Sequence, residues 1–223
     1  MLEGRAVQPA DMLVAFDFDG TLSDSEMTVL LGSRMGVASE MESITERAMN
    51  DEIGYAESLR GRAELLEGLS EDAARDAFEE VELRPGAAAV IRALNEAGHT
   101  TAILTGGFTA GVRTALEREG ASVDHLVAND LPMADGALTG EVTGPLIEGT
   151  KDDALADLAA DLGVDMADTV AVGDGANDLP MLEVAALAIG YEPKPAVRPH
   201  CDVVVESMDE LESVLVDRGI LTE

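Results

Sequence analysis

The chain has one cysteine, Cys201, and no tryptophan. A single thiol excludes an intrachain disulfide, so no cysteine framework staples the fold. Aromatic residues are only 3% of the sequence, and the core must be built from Ala, Val, Leu, Ile and Met. No apolar run reaches the roughly 18 residues a membrane span requires. Residues 1–12 include Glu3, Arg5, Gln8, Pro9 and Asp11, and so lack the apolar stretch of a secretion signal. A soluble, cytoplasmic protein is expected.

Positive charge is also scarce. Lys plus Arg total 14 against 45 Asp plus Glu, a net charge of −31, and the only lysines are Lys151 and Lys194. Such a field excludes nucleic acid and anionic membranes as partners, because both bind through cations that neutralise phosphate. The acidity is not gathered in a tail but runs through regular segments such as 70–82 and 151–161. An evenly acidic, lysine-poor surface suits a protein adapted to high salt, where counterions screen self-repulsion.

Hydrophobic residues are 46% of 223, enough for one large domain or a domain with a modest insertion. The apolar run Met12–Phe16 predicts a buried strand that ends in Asp17-Phe-Asp-Gly20. From about Ser25 to Glu82 the spacing is helical, with stripes at Met27, Leu30, Leu31 and at Leu59, Ala63, Leu66. Pro85–Gly86 opens a different regime. Helices over 87–97, 112–119, 152–162, 178–186 and 209–218 alternate with strands at 100–104, 126–128, 169–172, 187–189 and 203–205. Asp135–Gly136 between residues 131–133 and 137–142 signals a hairpin. The alternation implies an α/β fold with a mostly parallel sheet covered on both faces. Residues 25–82 read as an inserted helical cap; 1–24 and 83–223 form the core.

In open α/β sheets, ligands bind beyond the carboxyl ends of the strands. The polar residues collected there are Asp17, Asp19 and Thr21, then Thr105, Gly106 and Gly107, then Gly173, Asp174, Gly175, Asn177 and Asp178, with Lys151 at the start of a helix. Carboxylates converging in this way repel one another unless a cation sits among them, and oxygen ligands suit Mg²⁺. A lysine, a hydroxyl and glycine amides nearby suit a phosphoryl group. Each piece alone has an ordinary explanation. Asp174 and Asp178 are typical helix-cap residues, and a single lysine is normally a surface residue. Yet Asp17–Asp19 is the only Asp-x-Asp in the chain, and Lys151 stands where acidic residues replace lysine nearly everywhere else. Lys194, between Pro193 and Pro195, reads as a loop lysine outside the site.

In order, Asp17-Phe-Asp-Gly-Thr21, Thr105, Lys151 and Gly173-Asp-Gly-Ala-Asn-Asp178 resemble the four motifs of the haloacid dehalogenase superfamily of phosphatases. Glu26, Glu57-Ser-Leu-Arg-Gly-Arg62 and Ile103-Leu-Thr-Gly-Gly-Phe108 narrow the resemblance to its phosphoserine phosphatase branch, over about residues 13–215. The resemblance implies a Rossmann-like sheet under a small helical cap. It implies Asp17 as the nucleophile, Asp19 as the acid and base, and Thr105 and Lys151 on the phosphoryl oxygens. It further implies Mg²⁺ held by Asp17, the Asp19 carbonyl and Asp174, with Asp178 one layer out. For the substrate, O-phosphoserine, it implies Glu26 at the ammonium and Arg62 at the carboxylate. Met49, Tyr55, Gly106, Gly107 and Asn177 would make the remaining contacts. The branch often has Ser where this chain has Thr105. Two other readings stand beside this one: an enzyme of the superfamily acting on another small phosphorylated metabolite, and a catalytically inactive acidic interaction protein.

Overall fold

The structure, a computed structural model, describes residues 11–49, 52–148 and 150–222; of Met49 only the backbone is described. The main sheet contains β1 (Leu13–Phe16), β2 (Thr100–Phe108), β3 (His125–Asn129), β6 (Thr169–Gly173), β7 (Leu187–Tyr191) and β8 (Val203–Val205). Its order is β3-β2-β1-β6-β7-β8, with every neighbouring pair parallel. Two strands, β4 (Met133–Ala134) and β5 (Ala137–Leu138), form a separate antiparallel hairpin. β1 is central, and all four of its residues are buried, as a strand covered on both faces requires. Helices α5 (Ala87–Glu96), α6 (Thr109–Arg118), α7 (Lys151–Leu162), α8 (Leu179–Val184) and α9 (Met208–Asp217) connect or follow these strands. They bury two clusters. One includes Val14, Phe16, Val90, Ile91, Ile103, Val172 and Leu211, and the other Leu13, Ala15, Leu104, Leu155, Ala171 and Met181. The alternation of buried residues along β1 therefore feeds both faces.

Between β1 and α5 lie α1 (Met27–Met35), α2 (Ala38–Met49), α3 (Tyr55–Glu64) and α4 (Glu71–Phe78). Two serines stitch the crossing points of this helical segment together. Ser23 Oγ donates to the Glu82 carbonyl at 2.6 Å, and the Glu82 amide donates to Ser25 Oγ at 3.1 Å.

The hairpin turn is as expected. Asp135 (φ 52°) and Gly136 (φ 78°) both adopt the left-handed conformation of a tight two-residue loop. Its arms are shorter than 131–133 and 137–142 because β5 also pairs outward. Leu138 donates to Leu69 O (2.8 Å) and accepts from Gly68 N (2.9 Å), and Gly136 O accepts from Glu71 N (2.9 Å). The hairpin is thus bound to the α3–α4 turn, and Gly140 (φ 79°) then bends the chain away. Five other elements are longer than the sequence predicts: α6 begins at Thr109, β2 continues past Leu104 to Phe108, and β3, β6 and β7 each gain one or two residues.

No helix among the described residues is long and apolar enough to cross a membrane. Exposed acids line the outer faces: Glu40, Glu42 and Glu46 on α2, Asp153, Asp157 and Asp161 on α7, and Asp209, Glu210 and Glu212 on α9. The surface ion pairs, such as Arg75–Asp72 and Arg60–Glu148, involve well-exposed side chains and stabilise little. Uncompensated repulsion should therefore weaken the fold in dilute buffer. The melting temperature is expected to climb with potassium chloride well beyond about 0.1 M, where the screening length is near 10 Å. A melting curve indifferent to salt would remove the salt-adaptation reading.

Candidate active site

Strand register brings the site together. Phe16 lies opposite Ile103 on one side and Val172 on the other. The Asp17 amide extends the ladder by one step, donating to Val172 O at 2.9 Å. The chain segments beyond β1 and β6 therefore leave the same edge together, carrying Asp17, Asp19 and Asp174, beside Thr105 in the C-terminal half of β2. After Asp19 the chain reverses at Gly20 (φ 91°), where a Cβ would lie 2.6 Å from Asp174 Oδ1. Both conformation and space demand glycine there.

Lys151 is 4% exposed at the first position of α7. A lysine at a helix N-terminus opposes the helix dipole, and a buried one is costly unless paired. Here it is paired twice, with Nζ 2.5 Å from Asp17 Oδ1 and 2.5 Å from Asp178 Oδ1. Burial disfavours its charge, but Asp17 and Asp178 outweigh that and hold its pKa above the ordinary lysine value. Burial, and then the Asp178 carboxylate, push the Asp17 pKa up to about 7 against the pull of Lys151.

Asp178 is fully buried and has its acceptors occupied. Oδ2 takes the amides of Asp174 and Gly175, each at 2.9 Å, while Oδ1 takes Lys151. Asp174 has weaker protein partners: the Thr21 hydroxyl at 3.4 Å and Lys194 Nζ at 3.2 Å. Carboxylate oxygens of Asp17, Asp174 and Asp178 come within 4.8 Å of one another.

Asp19 has one buried oxygen, Oδ1, without a hydrogen-bond partner among the described residues. Burial, then Glu26 and Asp17, hold its pKa well above the carboxylate range. Its other oxygen lies 2.8 Å from where a Cβ on Gly107 would stand, and Thr105 Oγ1 lies 3.2 Å from the same point. A side chain at residue 107 would thus fill the space between them. Thr105 Oγ1 accepts the Gly107 amide at 3.0 Å, leaving its own proton free to donate. A Cβ on Gly106 would strike the Tyr55 hydroxyl, so the α3 tyrosine reaches down to the β2 loop.

Arg62, also on α3, donates to the Ser58 carbonyl (3.4 Å) and to Thr28 Oγ1 (3.2 Å). It makes no carboxylate ion pair among the described residues. Burial lowers its pKa, against the fields of Tyr55, Glu26 and Asp19, so all four groups share one neighbourhood. Glu26 stands just before α1 and is exposed. Asn177 turns its amide to Asp178 Oδ1 at 3.4 Å. The expectation for the Met49 side chain lies outside the described residues.

Three residues here escape the sequence reading. Lys194 is the one it misplaces. Instead of standing in a remote loop, its ammonium reaches Asp174, because the Lys194 amide also donates to the Asp174 carbonyl at 2.9 Å. Asn129, buried at the end of β3, donates to Gly106 O (3.0 Å) and accepts from Leu146 N (3.1 Å), which fixes the Thr105–Gly107 stretch. Arg84 donates to Gly20 O (3.1 Å), pairs with Glu192 (2.8 Å) and lies over the Tyr191 ring, tying the turn after Asp19 to the loop that carries Lys194.

The cluster fits a hard divalent cation. Its donors are all oxygens, and when ionised the three clustered carboxylates (17, 174 and 178) exceed the two ammoniums (151 and 194) by one negative charge. With a pKa near 7, Asp17 alone would be only partly ionised at neutral pH, and a cation beside it would keep the charge in place.

The chain is similar to known proteins over nearly its whole length. A phosphoserine phosphatase of Halobacterium salinarum is 53% identical over 208 residues, spanning 93% of this chain and 99% of that protein. Two solved structures align over 92% of the chain at 34% identity. A phospho-aspartyl intermediate analogue of phosphoserine phosphatase has a TM-score of 0.84 and is 98% covered. A substrate-bound phosphoserine phosphatase complex has a TM-score of 0.83 and is 97% covered. The profile of the haloacid dehalogenase-like hydrolases matches residues 14–183, from the strand that delivers Asp17 to the helix that follows Asp178, and the chain belongs to that family.

Proposed function

We propose that the protein is a phosphoserine phosphatase, hydrolysing O-phosphoserine to serine and phosphate through a phosphorylated Asp17. One observation carries the reading: a buried carboxylate held at 2.5 Å by a buried lysine, in the neighbourhood of a second carboxylate with an unpartnered buried oxygen. The first suits a nucleophile and the second a proton carrier. The near-complete alignment with the Halobacterium salinarum enzyme supports the substrate.

Asp17 forms a bond to phosphorus as the bond from phosphorus to the serine oxygen breaks. Asp19, whose protonated form is favoured by burial and by the Glu26 and Asp17 fields, gives its proton to that departing oxygen. Water then attacks the phosphorus of the aspartyl phosphate and returns a proton to Asp19, and Asp17 leaves as a carboxylate. Lys151, the Thr105 hydroxyl and the Gly106 amide hold the phosphoryl oxygens, while the Gly107 amide, taken by Thr105 Oγ1, orients that hydroxyl and Gly107 leaves room beside it. Mg²⁺ is the metal we assign; Asp17, the Asp19 carbonyl and Asp174 would hold it, and it would supply positive charge to the phosphoryl oxygens and to Asp17. Asp178, its oxygens already taken, positions Lys151 and the Asp174–Gly175 backbone rather than the ion.

Residues 25–82 serve as a cap over this edge of the sheet, bringing Glu26, Tyr55 and Arg62 to the substrate. A phosphorylated amino acid carries an ammonium and a carboxylate besides its phosphate, and Glu26 and Arg62 are the matching partners. Arg62 has five N–H groups, and its two hydrogen bonds leave the rest of the guanidinium for a carboxylate.

The test is a phosphate-release assay across phosphorylated sugars, acids and amino acids, with Mg²⁺ in high potassium chloride. O-phosphoserine should lead. Arg62→Ala should cost phosphoserine turnover roughly 2–4 kcal/mol in kcat/KM, the cost of losing a charged partner. Turnover of para-nitrophenyl phosphate, which has no carboxylate, should barely change. Equal losses on both would assign Arg62 to the fold, and a better substrate lacking the ammonium would replace phosphoserine.

A further inference from the structure

Both lysines of a 223-residue chain stand at one carboxylate cluster. Lys151 is locked, buried between Asp17 and Asp178. Lys194 is held differently. Its side chain is 53% exposed, and among the described residues its ammonium pairs with Asp174 Oδ2 alone, at 3.2 Å. The backbone aims it, because the Lys194 amide donates to the Asp174 carbonyl and the following turn closes on Lys194 O through Val197 N, at 2.9 Å. The loop before it is fixed too: Glu192 takes a left-handed φ of 40°, donates its amide to Val205 O and pairs with Arg84. A rigid loop thus delivers a flexible ammonium to a carboxylate. Arginine is this protein's usual cation, 12 of the 14 basic residues, and its planar fork would grip Asp174 at two points. A lysine is a single point charge on a four-carbon stem and can swing away into solvent.

We infer that Lys194 is a built-in counter-cation for Asp174, neutralising the carboxylate when no metal is present and competing with a divalent cation for the same oxygen. The inference rests on Asp174 as a metal ligand, as proposed above. Lys194 is a positioning residue that acts through Asp174. It keeps the carboxylate cluster folded in the metal-free protein, and it weakens cation affinity by standing near the ion with like charge. A merely structural role, orienting Asp174 for the metal, would have the opposite sign, since removing the ammonium would then loosen the ion.

Calorimetric Mg²⁺ titration of wild type, Lys194→Gln, Lys194→Met and Lys194→Arg decides between them. It should be run at the lowest potassium chloride concentration that keeps all four folded, and again at about 2 M. The Gln and Met variants should bind Mg²⁺ about tenfold tighter at the lower salt, the Coulomb effect of one unit charge several ångströms from a divalent ion in a watery setting. Arg, whose fork would hold Asp174 at two points, should bind Mg²⁺ more weakly than wild type, and the gap between the Gln and wild-type proteins should shrink at the higher salt. In chelator, the Gln and Met variants should melt below wild type, and saturating Mg²⁺ should close that difference. Unchanged or weaker Mg²⁺ binding by Lys194→Gln overturns the inference. Wild-type protein that binds no Mg²⁺, or binds it as well after Asp174→Asn, overturns the metal-ligand assignment itself and this inference with it.

Discussion

Asp17→Asn is expected to bring turnover of O-phosphoserine to background, a loss of at least about four orders of magnitude in kcat/KM. The change keeps the size and shape of a side chain that is 3% exposed, so the site should stay assembled. What it removes is the anion. An amide nitrogen or oxygen cannot displace the serine oxygen from phosphorus, and the nearby hydroxyls are otherwise engaged. Ser23 donates to Glu82 O and Thr21 to Asp174, while Thr105 is placed to donate to a phosphoryl oxygen rather than to attack phosphorus. The variant also loses one negative partner of Lys151, so its melting temperature measures whether the fold survives on Asp178 alone. Beryllofluoride, which mimics an acyl phosphate, should bind wild type and protect it from turnover, and it should not bind the Asn variant. Residual turnover within tenfold of wild type, or phosphate trapped on a threonine, would remove Asp17 as the nucleophile.

The site was legible in the sequence wherever one residue type in one place had no other use. A buried strand of Leu, Val, Ala and Phe ending in the chain's one Asp-x-Asp points to carboxylates lifted to a sheet edge, and a lysine retained in a lysine-poor chain points to a need for an ammonium. Asp174 and Asp178 were legible by spacing, because one follows β6 directly and the other opens the next helix. Lys194 was not, since a lysine between two prolines has the local signature of a loop. Only the parallel pairing of β6 with β7, with Gly173 opposite Gly190, brings the segment after Tyr191 back to Asp174. Asn129 and Arg84 act through backbone carbonyls far away in sequence, contacts that no periodicity encodes. The hairpin's turn was visible in Asp135–Gly136, but its pairing with Gly68–Glu71 is a tertiary choice. So is the length of β2. Its ladder with β3 shifts register between Leu104 and Phe108, a stretch whose glycines weaken any strand signal.

Lys151→Met should lose several orders of magnitude in rate, and its stability should change in a way that identifies the cause. Met nearly matches the length of the lysine stem, so packing at the start of α7 is preserved. The ammonium, however, is the shared partner of Asp17 Oδ1 and Asp178 Oδ1. Without it, two buried carboxylates face each other, and removing one partner of a buried ion pair typically costs about 3–5 kcal/mol. Asp17 would resist ionisation further, since Lys151 is what opposes the burial and the Asp178 field that raise its pKa to about 7. The nucleophile is then protonated at neutral pH, and the phosphoryl oxygens lose a charged donor as well. Raising the pH should therefore recover part of the lost rate in the Met variant more than in wild type, because ionising Asp17 repairs one of the two defects. Lys151→Arg keeps the charge but cannot place one nitrogen 2.5 Å from both oxygens without displacing a planar group in a 4%-exposed position, so it should rescue stability better than rate. Thermal melts and pH–rate profiles of the three proteins check this. A Met variant that turns over within tenfold of wild type, or whose rate falls with an unshifted pH profile, would show that Lys151 does not set the charge state of Asp17.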